Sequence, residues 1–211
     1  MSYIQTDSNF TASSDIMPLR ILKYPHPTLR YKSKPIKRID QGLRDIVAEM
    51  FELMYDTDGV GLAANQVDLP YQLCVINTSG DRDRPEDEFV LINPVIRRRK
   101  GSEEDSEGCL SFPDIHVPVL RAAEIEIEAI SLSGEVQHLR WKGLPARAAQ
   151  HELDHLAGTT FVDRLSPTAL LSVKDELEAL AIEFESDRRL GFIPSDEEIF
   201  KRLEELEKER C

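Results

Sequence analysis

The stretch from Gly143 to Gly158 constrains this 211-residue chain more than any other. Gly143-Leu144-Pro145 precedes a run of good helix formers, and proline suits a first helical turn because the N–H it lacks has no intrahelical acceptor there. Gly158 is a natural C-terminal stop. The spacing predicts a helix over Ala146–Ala157 carrying His151-Glu152-Leu153-Asp154-His155. Residues four apart share a helix face, so both imidazoles can reach one ion. Glu152 lies about 100° round the helix from His151, off the ligand line but close enough to touch a water held there. The pattern supplies two ligands and a base, and it needs a third ligand from elsewhere. Two solvated histidines on a surface helix would spell the same letters. The helix start and stop in the right places favour the metal site.

Spacing alone leaves the third ligand open. The position ten residues after His151 is Phe161, so the long zinc-protease pattern is not completed. Glu176 or Glu178 could serve from a later helix. Cys109, in Glu107-Gly108-Cys109-Leu110-Ser111, is the other candidate, at a turn-like spot. A thiolate with two imidazoles suits a divalent transition metal, although a lone cysteine is more often a small buried apolar residue.

Elsewhere the chain reads as α+β. Asp40 caps a helix whose apolar stripe is Leu43, Ile46, Val47, Met50, Phe51 and Met54, ending near Thr57. Leu73–Ile76 and Phe89–Ile96 are strand candidates, with the polar loop Thr78–Glu88 between them. Arg97–Glu107 reads as a charged connection. Glu124–Glu128 alternates strictly, as a half-exposed strand does, and Ser133-Gly134 turns it into Glu135–Trp141. Leu170, Val173, Leu177, Leu180 and Phe184 mark one amphipathic helix. Ser195 and Glu198 form a capping box opening another, with Ile199, Leu203 and Leu206 inward. Strands in sequence flanked by helices, rather than alternating with them, exclude a βαβ plan.

Three segments carry a resemblance. Gly59-Val60-Gly61-Leu62-Ala63-Ala64-Asn65-Gln66, Glu107-Gly108-Cys109-Leu110-Ser111 and Gln150-His151-Glu152-Leu153-Asp154-His155-Leu156-Ala157-Gly158 resemble, in order, the three signature motifs of the peptide deformylases. The similarity runs from about Arg20 to about Pro167. It implies an α+β fold of antiparallel and mixed sheets packed around a central metal-binding helix, with extra C-terminal helices. The polar, mixed-charge stretch 1–17 reads as a disordered leader before the catalytic domain (18–167), and the acidic helical extension (168–211) is longer than many members carry.

The resemblance further implies the activity: hydrolysis of the N-formyl group from the N-terminal formylmethionine of new polypeptides, with release of formate. The implied metal ligands are Cys109, His151 and His155, holding one divalent ion, Fe2+ first, with Zn2+, Ni2+ or Co2+ as alternatives. Water activated at that ion attacks the formyl carbonyl, and Glu152 serves as general base and then acid. Gln66 and the Leu110 N–H are the implied oxyanion donors. Gly59 and Gly61 let a peptide backbone lie close, and Val60, Leu144, Arg147 and Ala148 are candidates for the methionine pocket. Core packing and an ordinary turn compete for all of these pocket positions. Asp154 is expected to orient a ligand or to pair with Arg121 or Arg147. Two departures stand out: Asn65, where Thr or Ser is usual, and Arg147, where some members are aliphatic.

Charge and cysteine count bound the partners. A net charge of −13 disfavours nucleic acid and anionic membranes. No apolar run reaches the roughly 18 residues of a spanning helix. Three cysteines, an odd count, with no secretory signal in Met1–Met17 fit a reducing cytoplasm. The partners expected are formylmethionyl nascent peptides, with transient ribosome proximity. The extension over 168–211 has 13 acidic against 7 basic residues, the wrong sign for docking on ribosomal RNA. Two other readings stay open: a zinc peptidase with a Glu ligand, and a metal-stabilised binding module without catalysis.

Overall fold

The computed structural model describes residues 18–211, preceded by the backbone of a two-residue strand, β1 (Gln5–Thr6). β1 pairs in parallel with β2 (Arg38–Ile39); the rest of the leader expected over 1–17 lies outside the described residues.

The first helix forms where its cap and stripe demand. The Asp40 carboxylate accepts the Leu43 N–H at 2.8 Å and opens α1 (Gln41–Asp56). All six stripe residues are buried. They share a core with Leu62, Val75 and Ile92, side chains of an antiparallel five-stranded sheet. Its order is β3 (Gly61–Ala63), β4 (Leu73–Ile76), β5 (Phe89–Lys100), β8 (Glu124–Ile130) and β9 (Val136–Lys142). β4 is buried on both faces, which explains its unbroken apolar run. β8 alternates because Ile125, Ile127 and Ala129 face the core and Glu126 and Glu128 are only half-buried.

The charged stretch Arg97–Glu107 is a correction to the sequence reading. It is not a connection: β5 continues to Lys100, and β6 (Glu103–Cys109) follows. β6 pairs antiparallel with β7 (Phe112–Arg121), a strand the sequence reading missed. One exposed face lets both carry charges, and Pro113 and Pro118 fit in β7 because β6 is its one strand neighbour among the described residues. Ile115, Val117, Val119 and Arg121 alternate inward.

The helix α2 (Leu144–Leu156) lies against β3, β4 and β9. It ends at Gly158, where φ is +73° and an added Cβ would stand 2.5 Å from the Arg30 carbonyl oxygen. The helix expected through Leu170 and Phe184 is two: α3 (Pro167–Ser172) and α4 (Lys174–Arg189). Val173 breaks them by leaving helical dihedrals (φ −117°, ψ 15°) and sinking into an apolar cluster with Phe112 and Phe161. The Ser195–Glu198 capping box opens α5 (Asp196–Arg210) as expected. Ile199 and Leu203 are buried and Leu206 packs on the core. Among the described residues no helix is long and apolar enough to cross a membrane.

Candidate metal centre and active site

Two elements meet at one point. α2 brings His151 and His155 to the same face, and the end of β6 brings Cys109. The His155 Nε2 lies 3.3 Å from both the Cys109 Sγ and the His151 Nε2. One ligand atom from each residue falls within 4.8 Å of the other two. One soft sulfur and two imidazole nitrogens, converging from a helix and a hairpin, fit a divalent first-row ion with a coordination position left over. Glu176 and Glu178 are exposed on α4 and are not part of this group.

Glu107, which the sequence reading did not single out, fixes the geometry. Its carboxylate accepts two hydrogen bonds from Arg121, both at 2.9 Å, one from Arg147 Nη1 at 2.7 Å, and faces His151 Nδ1 at 3.0 Å. An imidazole held by a carboxylate at Nδ1 presents Nε2 to a metal. Burial would raise the Glu107 carboxyl, but its Arg121 and His151 hydrogen bonds outweigh that and hold it at about 2. Burial also lowers both imidazoles. At His151 the Cys109 sulfur and Glu107 reverse the effect and hold it well above 6.5, whereas His155 stays well below.

Arg147 and Asp154 are anchored in the same network. The Arg147 guanidinium also donates to the carbonyls of Val119 at 2.8 Å and Glu103 at 2.9 Å. Its charge is turned to the β6–β7 hairpin rather than into the cleft. Asp154 pairs with Arg121, one of its two expected partners, and with Arg164, which had not been foreseen; it makes no ion pair with Arg147. The signal for Arg121 was present in the alternation: it continues the inward face of Ile115, Val117 and Val119, where an unpaired charge would be costly.

Glu152 is buried beside the ligand group. Burial pushes its carboxyl up to about 7, with the Glu107 charge adding to it and His151 opposing. Among the described residues its Oε2 has no hydrogen-bond partner. β3 passes so close that an added Cβ at Gly61 would stand 2.5 Å from Glu152 Oε1. Gln66 follows in the 3₁₀ turn Ala64–Val67. Its carbonyl is pinned by the Ala63 N–H at 2.9 Å, and its amide nitrogen stands 3.1 Å from Ser111 Oγ and 3.5 Å from Cys109 Sγ. Asn65, the departure from the usual Thr or Ser, donates from its amide to the His155 carbonyl and so ties this turn to α2. Leu110 sits at the hairpin tip against Gly59. A cavity of about 480 Å³ opens on this group, and Gly59, Val60, Gly61, Leu144, Arg147 and Ala148 line it.

Known proteins are similar to this chain in sequence and in shape. The family model for polypeptide deformylase matches residues 18–170. A peptide deformylase of Rhodopirellula baltica is 41% identical over 191 residues, covering 90% of this chain and 94% of that protein. Peptide deformylase 1B, chloroplastic/mitochondrial, of Arabidopsis thaliana is 40% identical over 200 residues, covering 93% and 72%. The crystal structure of a plant peptide deformylase of the 1B type superposes with a TM-score of 0.77 at 41% identity, covering 90% of this chain and 99% of that one. A Thermotoga maritima peptide deformylase gives 0.67 at 36% identity, covering 72% and 100%. These relatives and the matching family model lead to one conclusion: the chain belongs to the polypeptide deformylase family.

Proposed function

We propose that this chain hydrolyses the N-formyl group from the formylmethionine at the start of newly made polypeptides, releasing formate. The observation that carries this reading is a buried carboxylate with an unpartnered oxygen, Glu152, beside the convergent Cys109, His151 and His155, in a chain of this family. A divalent ion held by those three residues, Fe2+ before Zn2+, Ni2+ or Co2+, would supply the Lewis acidity that makes water nucleophilic at neutral pH.

The chain's own residues do the rest. Glu152, with its carboxyl up at about 7, takes a proton from the attacking water and gives it to the departing amine nitrogen. Formate and a free amino terminus result. Gln66, its amide rotation fixed through Ala63, donates from its NH₂ group to the developing oxyanion, and the Leu110 N–H joins it. Gly59 and Gly61 lie under the peptide backbone, and Val60, Leu144 and Ala148 receive the methionine side chain. Arg147 acts there through the hairpin it holds. Residues 18–167 form the catalytic domain, 1–17 a leader and 168–211 an extension. The chain works in the cytoplasm, meeting nascent chains near the ribosome without binding nucleic acid or membrane.

The test is formate release from a formyl-Met tripeptide. Glu152→Ala should keep its metal and lose about 10²–10⁴ in kcat; turnover near wild type would remove Glu152 from the proton path. Cys109→Ser should abolish or change metal binding. If it were silent, the peptidase reading with a glutamate ligand would replace this one.

A further inference from the structure

α2 has a second cavity on its other side. It holds about 630 Å³, more than the 480 Å³ of the catalytic cleft. The volume lies within the range of about 300–1,000 Å³ common for ligand sites. Its apolar lining includes Val95 from β5, Leu120 from β7 and Leu153 from α2. Val95 is 43% and Leu120 is 62% exposed. Leu120 is out of place on its strand: Asp114, His116 and Pro118 occupy the other outward positions. An outward leucine followed by the inward Arg121 makes sense if Leu120 serves a groove.

The charge of this cavity runs against the molecule. Lys32, Arg99, Arg121 and Arg164 line it with one carboxylate, Asp154, in a chain of net charge −13. Asp154 is already shared by Arg121 and Arg164. Lys32 and Arg99 are exposed and have no carboxylate within ion-pair distance among the described residues.

The groove also has an open backbone edge. β4 leaves β5 at the Leu73–Ile92 pair, followed by a last bond from the Asn93 N–H to the Gln72 carbonyl at 2.8 Å. From Val95 to Lys100, β5 pairs with β8 alone among the described residues. An unpaired edge is a template for another strand.

We infer that the groove between the free edge of β5 and the back of α2 is a docking site for an extended peptide segment that alternates acidic and aliphatic side chains. Main-chain groups of the segment pair along Val95–Arg99. Aliphatic side chains fall on Val95, Leu120 and Leu153, and carboxylates reach Lys32, Arg99 and Arg164. A nucleic acid would satisfy the cations but not the apolar floor, and would meet the repulsion of the whole chain.

The experiment is fluorescence anisotropy of a labelled pentapeptide alternating aspartate with leucine, titrated with the full metal-loaded protein. Saturable binding is expected, weakened by at least about tenfold in Lys32→Glu/Arg99→Glu, since like charges then face each other. Leu120→Asp should weaken it comparably. Both variants should keep wild-type formate release, because none of these residues belongs to the catalytic cleft. The same peptide with lysine for aspartate should not bind. Absence of saturable binding, or equal affinity in the double variant, would overturn the proposal. So would binding of octanoate at Lys32 and Arg99 without any binding of the peptide, which would make the groove a site for small amphiphiles.

Discussion

The junction of α2 with the β6–β7 hairpin and the C-terminal helices both carry many charges, but they use them differently. At the junction, Glu107, Arg121 and Arg147 are buried and tied to one another across up to 40 positions of sequence. On α4 and α5 most charges face solvent, and each helix is organised locally. Ser195 and Glu198 cap α5, while Phe184, Ile199 and Leu203 are its and its neighbour's buried anchors. A few longer reaches hold the tail: Tyr31 donates to Glu207 at 2.7 Å, Tyr71 to the Leu206 carbonyl at 3.0 Å, and Lys37 to the Cys211 carbonyl at 2.6 Å. Buried charge is expensive unless every partner is present. It is therefore spent where ligand positions must be fixed, whereas the tail can be attached by apolar anchors and loose surface pairs.

The sharpest way to break this contrast is Glu107→Ala. It leaves Arg121, Arg147 and His151 Nδ1 without their shared carboxylate and should cost about 3–5 kcal/mol, read by urea unfolding. Its pH signature has a definite sign. The Glu107 carboxyl sits at about 2 in the fold against 4.5 when free, so its stabilisation is full above 4.5 and is lost as pH falls towards 2. In metal-free protein, Glu107→Ala should flatten the stability curve in that window. An unchanged curve would mean that the network contributes nothing net.

In the tail the expected effects are smaller. Leu203→Ala, at a position 0% exposed, should cost about 2–4 kcal/mol by cavity formation. Leu171→Ala, 71% exposed, should stay within about 0.5 kcal/mol. Similar losses for both would show that the outer face of the tail is covered in solution. Between these two lies Ser195→Ala, which removes the cap hydrogen bonds of α5 and should cost about 1 kcal/mol. Circular dichroism melts should show that loss without any change in formate release.

The same division explains what could be read from the chain. α1, β4, α2 and the α5 cap were legible because each is specified by neighbours: Asp40 with Leu43, an apolar run of four, a proline and glycine around a helix, and Ser195 with Glu198. The cluster of Cys109, His151 and His155 followed from the motif resemblance, and the structure brings those atoms together. The hairpin was hidden because Glu103–Glu107 looks like a solvated linker until its partner strand is known. The same non-locality concealed the Glu107–Arg121–Arg147 cluster, since no local rule matches a carboxylate to guanidiniums 14 and 40 residues away. Val173 hid the break between α3 and α4 because its spacing fits a helix equally well.

Position 61 sets a limit on how this cleft can change. With Glu152 Oε1 only 2.5 Å from where a side chain would begin, even a methyl group forces either the strand or the carboxylate to move. A variant that blocks an inhibitor by adding bulk at this spot would thus displace the buried Glu152 carboxylate, whereas Leu144, half-exposed at the rim, has room to vary. Escape from a cleft-filling drug should accumulate at the rim and spare the floor.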